Sequence, residues 1–134
     1  MKQNLEAILR HCVEGKAWHG PSVCEAIEGV DAVLADRRVG SSHTIHELVL
    51  HIAAWMDEAA ERLYGRKHEE PLPGNFPPPV DWAQSRQTLH SSLEKLLAAV
   101  REKAEASHLE PLAGVAQHNA YHAGQIVTLR NLSA

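Results

Sequence analysis

Residues 44–63 read Thr-Ile-His-Glu-Leu-Val-Leu-His-Ile-Ala-Ala-Trp-Met-Asp-Glu-Ala-Ala-Glu-Arg-Leu, and this stretch decides the fold class. Thr44 and Glu47 form a capping-box pattern, in which two side chains satisfy the free N–H groups at a helix start. Gly65 supplies the expected stop. Between them, apolar residues recur at helical spacing and predict one long helix with a buried stripe: Ile45, Leu48, Val49, Ile52, Met56, Ala59 and Leu63.

Three other segments share this helical period, and no segment alternates as a strand would. A first long helix is predicted over Lys2 to Glu14, a third from Asp81, and a fourth from Pro111 to about Leu132. Ser22 is expected to cap a short helix through Ile27. Residues 31–40 are expected to form a loop with one helical turn. The chain is therefore predicted to be all-α, with four long helices in one domain, residues 1–134.

The connections predict the topology. Residues 65–80 contain five of the seven prolines, so this linker cannot be helical and is expected to be extended. It is long enough to return along the bundle, which would make the second and third helices parallel. The short break at residues 107–110 predicts an antiparallel third and fourth helix. If the first pair is also antiparallel, the result is an up-down-down-up four-helix bundle.

Composition excludes several classes of protein. The net charge is −4, and no stretch concentrates Lys and Arg, which argues against nucleic acid or an anionic membrane as partner. No window approaches 18 uninterrupted apolar residues, and the N-terminus lacks a signal-peptide pattern. Cys12 and Cys24 form neither a CxxC pair nor a disulfide framework. A cytoplasmic protein is expected.

The ten histidines are the most informative residues. His118 and His122 are spaced i, i+4, so one helix face carries both and they can chelate one metal ion. Spacing alone is weak, since ten randomly placed His would give about 0.7 such pairs. Their position within the fourth helix's apolar stripe says more. Two inward imidazoles each need a polar partner, and a shared metal ion satisfies both. The alternative is a pair of core histidines bonded to backbone or water.

A third ligand has to come from another helix. His51 lies on the flank of the second helix's stripe, where a bundle brings facing side chains together. His43 and His46 lie on other faces at the helix start, and both are expected to be solvated or capping.

The same stretches carry a family resemblance. Leu48-Val-Leu-His51-Ile-Ala-Ala-Trp55 and His118-Asn-Ala-Tyr-His122-Ala-Gly-Gln-Ile126 resemble motifs of the DinB/YfiT-like superfamily, as does Ala17-Trp18-His19-Gly20-Pro21-Ser22 near the N-terminus. The match spans nearly the whole chain. The resemblance implies a four-helix bundle of the metalloenzyme type, often a homodimer, with a divalent metal ion on three His. Carried over, the metal ligands are His51, His118 and His122.

Three imidazoles leave a coordination position open, which is the pattern of a catalytic site. Zn²⁺ and Ni²⁺ are the expected metals. The pair is not an H-E-x-x-H motif, because Asn119 follows His118. Glu47 and Glu58 share a face with His51 and are candidate catalytic carboxylates; the alternative is a solvated helix face.

Four further residues are candidates for the substrate pocket. Tyr121 and Gln125 could orient ligands or substrate beside His122. Trp18 and His19, on a Gly-Pro turn, could line the pocket mouth, although Trp18 could equally be a core residue.

Three function classes follow. The resemblance favours activation of a low-molecular-weight thiol for transfer or isomerisation, because relatives include bacillithiol and mycothiol S-transferases and a mycothiol-dependent maleylpyruvate isomerase. That class predicts cationic groups at the pocket for the thiol's carboxylates, with Arg37, Arg38 and Arg130 as candidates. A metal-dependent hydrolase predicts Glu47 or Glu58 beside the metal's water. A metal- or ligand-binding stress protein without turnover predicts neither. In the two enzyme classes the partner is a small-molecule substrate.

Overall fold

The computed structural model describes residues 1–133 and is mostly helical, as the sequence predicts. Four helices are long: α1 (Lys2–Glu14), α4 (Ile45–Leu63), α5 (Trp82–Lys103) and α6 (Leu109–Ser133). The shorter elements are the strands β1 (Lys16–Ala17) and β2 (Gly20–Pro21), the helices α2 (Val23–Ile27) and α3 (Ala32–Ala35), and a 3₁₀ turn (Ala106–His108).

Capping contacts confirm three predicted helix starts, whereas α6 begins at Leu109, two residues before the predicted Pro111. The Thr44 hydroxyl accepts from the Glu47 N–H at 3.1 Å, and Glu47 Oε1 accepts from the Thr44 N–H at 2.8 Å. Ser22, directly before α2, forms the same reciprocal pair with Glu25. The Asp81 carboxylate accepts from the third N–H of α5 at 2.9 Å. These contacts satisfy backbone donors that each helix leaves free.

The sequence did not predict the antiparallel pairing of β1 with β2. Each strand has only two residues, too few to show an alternating pattern. Gly20 has a φ of 135°, which a residue with a Cβ rarely adopts, so the tight hairpin depends on that glycine.

The core lies between the four long helices. Helix α4 packs against α5 and α6, and α1 packs against the same two helices. The expected stripe of α5 is buried, and that of α4 is buried except for the partly buried Ala59. The largest apolar side chains that are almost fully buried are Leu9, Ile45, Ile52, Met56, Leu89, Leu93, Leu96, Leu97 and Ile126.

Side-chain contacts give the directions of α4 and α5. His46 near the start of α4 bonds Ser85 near the start of α5, at 2.7 Å. Tyr64, just after α4, donates to Glu102 near the end of α5 at 2.6 Å. The two helices therefore run in the same direction, and residues 65–80 return along the bundle to connect them.

Helix α1 runs opposite to α5. Lys2 at its start donates to the Arg101 carbonyl at 3.0 Å, whereas Glu14 at its end bonds His90 in the first half of α5. Within residues 1–133, no helix combines the length and the apolar character that a membrane crossing requires.

Candidate metal centre

Three imidazoles from two helices meet at one point. His51 projects from the middle of α4, and His118 and His122 project from adjacent turns of α6. The Nε2 atom of His51 lies 3.0 Å from that of His118 and 3.1 Å from that of His122, and the last two are 3.1 Å apart. The structure thus brings together the three residues that the sequence nominated as ligands.

The other ring nitrogen of two of these histidines is held by an oxygen. His51 Nδ1 donates to the Asn75 carbonyl at 2.7 Å, and His122 Nδ1 donates to Gln125 Oε1 at 2.6 Å. A carbonyl oxygen can only accept, so the proton of each neutral ring resides on Nδ1 and the lone pair on Nε2. Such outer hydrogen bonds are the usual support of metal-binding histidines.

This arrangement fits a divalent metal ion. The Nε2 lone pairs of His51 and His122 face each other at 3.1 Å, where neither can donate a hydrogen bond. A proton on His118 Nε2 could be donated to one or both of these nitrogens. The two lone pairs would still repel each other. Two nitrogens bound to one ion at about 2.0–2.1 Å, with angles of about 90–110°, lie about 2.8–3.4 Å apart. The observed separations fall in this range.

The protein environment keeps the three rings neutral. Burial, together with the smaller effect of the neighbouring imidazoles of His122 and His51, lowers the pKa of His118 to about 4. Burial also lowers the pKa values of His51 and His122, more than their Asn75 and Gln125 hydrogen bonds raise them. Neutral imidazole is the form that binds a metal ion.

The linker forms one wall of the site, which the sequence did not predict. The Phe76 ring stacks on His43 at a centroid distance of 3.7 Å and on His51 at 4.1 Å. Asn75 accepts from Trp55 Nε1 at 2.7 Å through its side chain while its backbone carbonyl accepts from His51. The sequence signal was slight: Phe76 is the one Phe of the chain, set among prolines.

A cavity of about 710 Å³ opens beside the three histidines, and both His51 and His118 line it. This volume is typical of small-molecule sites. Most of the wall is apolar, and basic side chains complete it. Its lining includes Trp55, Glu58, Arg62, Leu63, Lys67, His108, Leu112, Gly114 and Val115.

Glu58 is one of the most buried side chains, with 2% exposure, so its alternative reading as a solvated residue is wrong. Oε2 accepts from Arg62 Nε at 2.7 Å and from the His68 N–H at 2.9 Å; Oε1 bonds His68 Nδ1 at 2.7 Å. Burial raises the pKa of this carboxyl, but the His68 and Arg62 hydrogen bonds outweigh it and the pKa lies below its ordinary value. Helix α4 is covered on that side by the linker, which periodicity alone does not reveal.

Glu47 is held at the start of α4. Besides its bond to Thr44, Oε1 lies 3.1 Å from Arg38 and 3.6 Å from His43. The Thr44 N–H lowers the pKa of Glu47, and Arg38 lowers it further. These contacts make Glu47 a capping residue.

The four pocket candidates lie in two places. Gln125 fixes the His122 ring, and the exposed Tyr121 meets the same ring edge-on at 5.1 Å between centroids. Trp18 and His19 form the β1–β2 turn, and neither is among the described residues that line the cavity. Trp18 is fully exposed, so its alternative reading as a core residue is wrong.

The three candidate arginines do not line the cavity and instead bond backbone carbonyls. Arg37 donates to the Ser133 carbonyl, Arg38 to the Ser42 carbonyl, and Arg130 to the Ala26 carbonyl. The cationic side chains that line the cavity are Arg62 and Lys67 instead.

His46 was expected to be solvated or capping, and it is fully buried. Its Nδ1 lies 2.8 Å from Asp36 Oδ1 and its Nε2 2.7 Å from Ser85 Oγ. This Asp–His–Ser order is that of a hydrolytic triad, but Ser85 has 0% exposure. A nucleophile there could not meet a substrate, so the three residues tie the loop after α3 to α4 and α5.

Comparison with known proteins returned nothing: no family model, curated protein or solved structure matches this chain.

Proposed function

We propose that this protein binds one divalent metal ion at His51, His118 and His122 and uses it to activate a low-molecular-weight thiol. We further propose that its four long helices form the up-down-down-up bundle of the DinB type. The antiparallel contacts of α1 with α5 and the parallel contacts of α4 with α5 are consistent with that order.

One observation carries the metal site. Two Nε2 lone pairs, fixed by hydrogen bonds at Nδ1, face each other at 3.1 Å with a third imidazole nitrogen beside them. A protein core avoids such unpaired polar atoms because each costs about 1–3 kcal/mol. A shared cation turns all three into ligands.

The walls of the cavity favour thiol chemistry over hydrolysis. A divalent ion bound at the histidines would deprotonate a thiol ligand and so supply the nucleophile. The thiolate would form a carbon–sulfur bond with the electrophile as a leaving group departs, or as a double bond accepts the electron pair and then the proton that the thiol released. His51 and His118 line the cavity, so both reactants would meet beside the ion, and Lys67 offers a positive charge to an anionic reactant.

The metal-dependent hydrolase is the less favoured alternative. It needs a carboxylate free to accept a proton from water. Both oxygens of Glu58 are occupied by Arg62 and His68, and Glu47 is occupied by Thr44 and Arg38.

Metal content tests this proposal. Protein purified without a His-tag should contain nearly one divalent ion per chain by inductively coupled plasma mass spectrometry, or take one up from Zn²⁺ or Ni²⁺. His51→Ala, His118→Ala and His122→Ala should each lose most of it, whereas His11→Ala, at an exposed position of α1, should not. Folded wild-type protein that takes up neither metal would overturn the proposal.

Activity is tested separately with loaded protein. Consumption of bacillithiol or mycothiol with an electrophile, absent in His118→Ala, would support thiol transfer. Turnover of small esters without any thiol would instead establish the hydrolase.

A further inference from the structure

The cavity beside the three histidines carries an excess of positive charge. Its one carboxylate, Glu58, is neutralised by Arg62 at 2.7 Å, and the guanidinium also lies over the Trp55 ring at 5.7 Å. Lys67 is the other cationic side chain that lines the cavity. In the described part of the chain, no carboxylate lies within ion-pair distance of its ammonium group. The cavity therefore presents one uncompensated cation, whether or not a metal is bound.

The backbone around Lys67 is held in place. Gly65 ends α4 with a φ of 80°, and its N–H donates to the Arg62 carbonyl at 3.0 Å. One residue after Lys67, the His68 N–H and ring both bond the buried Glu58 carboxylate. The fixed backbone at Gly65 and His68, on either side of Lys67, thus keeps the lysine at the cavity wall, although its side chain is exposed.

The remaining wall suits an apolar body. Trp55 and Leu63 of α4 face Leu112 and Val115 of α6 across the cavity. His108 adds one polar group: its Nδ1 accepts from the Glu105 N–H at 2.9 Å, so in the neutral ring Nε2 carries the proton and can donate. An apolar chamber with a few polar groups selects ligands by shape and by one charge.

We infer that the cavity binds an organic monoanion with an apolar, ring-sized body, whose anionic group pairs with Lys67 and whose far end lies at His51 and His118. The identification of this ligand as the electrophile that receives the thiol rests on the function proposed above. Binding itself does not, since the walls belong to the protein alone.

Three probes separate the parts of this inference. Naphthylacetate has the body and the charge, naphthylacetamide has the body alone, and acetate has the charge alone. By isothermal titration calorimetry, we expect the first to bind about two- to fivefold more tightly than the second, the range given by an exposed ion pair. We expect no detectable binding of acetate. Equal affinities for the acid and the amide would overturn the role of Lys67.

Charge variants test that role directly. Lys67→Gln should remove the preference for the acid over the amide, and Lys67→Arg should retain it. Lys16→Gln, at an exposed position of β1, is the control and should change nothing. If the preference survives Lys67→Gln and disappears with a chelator, the carboxylate binds at the histidines and the inferred orientation is wrong.

Two glycines of α6 test the location. A Cβ added at Gly114, which lines this cavity, or at Gly124, which lies outside it, would meet no atom within 4 Å. Both substitutions to Leu should fold, since replacing a helical Gly favours the helix. Gly114→Leu should weaken naphthylacetate binding at least tenfold and Gly124→Leu should leave it unchanged. Equal effects, or none, would overturn the assignment of the cavity.

These results are separable from the metal test. Probe binding that is lost in Gly114→Leu, in a protein without metal, would support the cavity and refute the proposed enzyme. Metal bound at the three histidines without probe binding would support the metal site and overturn the inferred ligand of the cavity.

Discussion

Glu58 is a buried carboxylate that lines the cavity beside the three histidines. Its carboxylate joins α4 to the linker, because one oxygen holds the His68 ring and the other holds both Arg62 and the His68 N–H. A buried carboxylate with three donors is stabilised in its charged form, and removal of its charge leaves those donors poorly paired.

Glu58→Gln is expected to lower the free energy of unfolding by about 1–3 kcal/mol at pH 7. The reason is that a neutral amide has one accepting oxygen where the carboxylate has two, so the bonds to Arg62 and His68 are weakened and one donor loses its acceptor. Urea unfolding followed by circular dichroism measures this change. Glu110→Gln, at an exposed position near the start of α6, should change stability by less than about 0.5 kcal/mol.

The sign of the pH dependence follows from the lowered pKa of Glu58. The unfolded chain binds a proton at this residue more readily than the folded chain does, so its contribution is complete above the unfolded pKa of about 4.3. It is lost as the pH falls through the lower folded value. The difference between wild type and Glu58→Gln should therefore shrink below about pH 4. A difference that stays constant from pH 7 to pH 3 would contradict this account.

At the residue scale, the sequence predicted side chains whose positions follow from helical period. The i, i+4 spacing of His118 and His122 inside an apolar stripe was sufficient to place them inward. Helical period failed for His46, which was expected to be solvated or capping, and it did not distinguish a catalytic from a solvated Glu58; both residues lie off the α4 stripe. They are buried because the loop after α3 and the linker pack over two further sides of α4. The spacing of apolar residues along the sequence does not show which loops pack over a helix.

At the scale of elements, the linker contributes more than its composition suggests. Five prolines correctly predicted a non-helical segment over residues 65–80, but proline content does not say which residues turn inward. Phe76 does so, between His43 and His51, and Asn75 carries the carbonyl that orients His51. The linker therefore supports His51, the residue that α4 contributes to the candidate metal site.

Phe76→Ala tests this support. The substitution removes both stacking contacts of a half-buried ring, and we expect a loss of about 1–2 kcal/mol in unfolding free energy. Zn²⁺ affinity, measured by competition with a chromogenic chelator, should fall about tenfold because the His51 ring is less well oriented.

Leu72→Ala is the matched control within the same linker, since Leu72 is 73% exposed. It should leave both quantities nearly unchanged. Equal effects of the two substitutions would mean that the linker contributes only by closing the chain.

At the scale of the whole molecule, the candidate site joins parts that are distant along the chain. Its ligands come from α4 and α6, and its support comes from the linker between α4 and α5. The number of long helices and most of their starts could be predicted from capping residues and helical period, because these signals are local in the sequence. The cavity and its cations did not, since Arg62 and Lys67 reach it only when α4 and α6 meet, and the arginines nominated from sequence bond backbone carbonyls elsewhere.

A metal ion that bridges α4 and α6 should stabilise the entire fold, because the unfolded chain has no preformed site. Zn²⁺ at about 100 times its dissociation constant is expected to add about 2.7 kcal/mol, a rise of about 10 °C in melting temperature for a domain of this size. The rise should persist at pH 6, where a free imidazole is largely protonated, since the pKa of His118 is about 4 and those of His51 and His122 are lowered. It should disappear as the pH approaches 4, when protons occupy the nitrogens that bind the metal. Differential scanning fluorimetry measures the shift. His11→Ala should retain it and His118→Ala should lose it, whereas an equal shift in both variants would place the Zn²⁺ elsewhere on the protein.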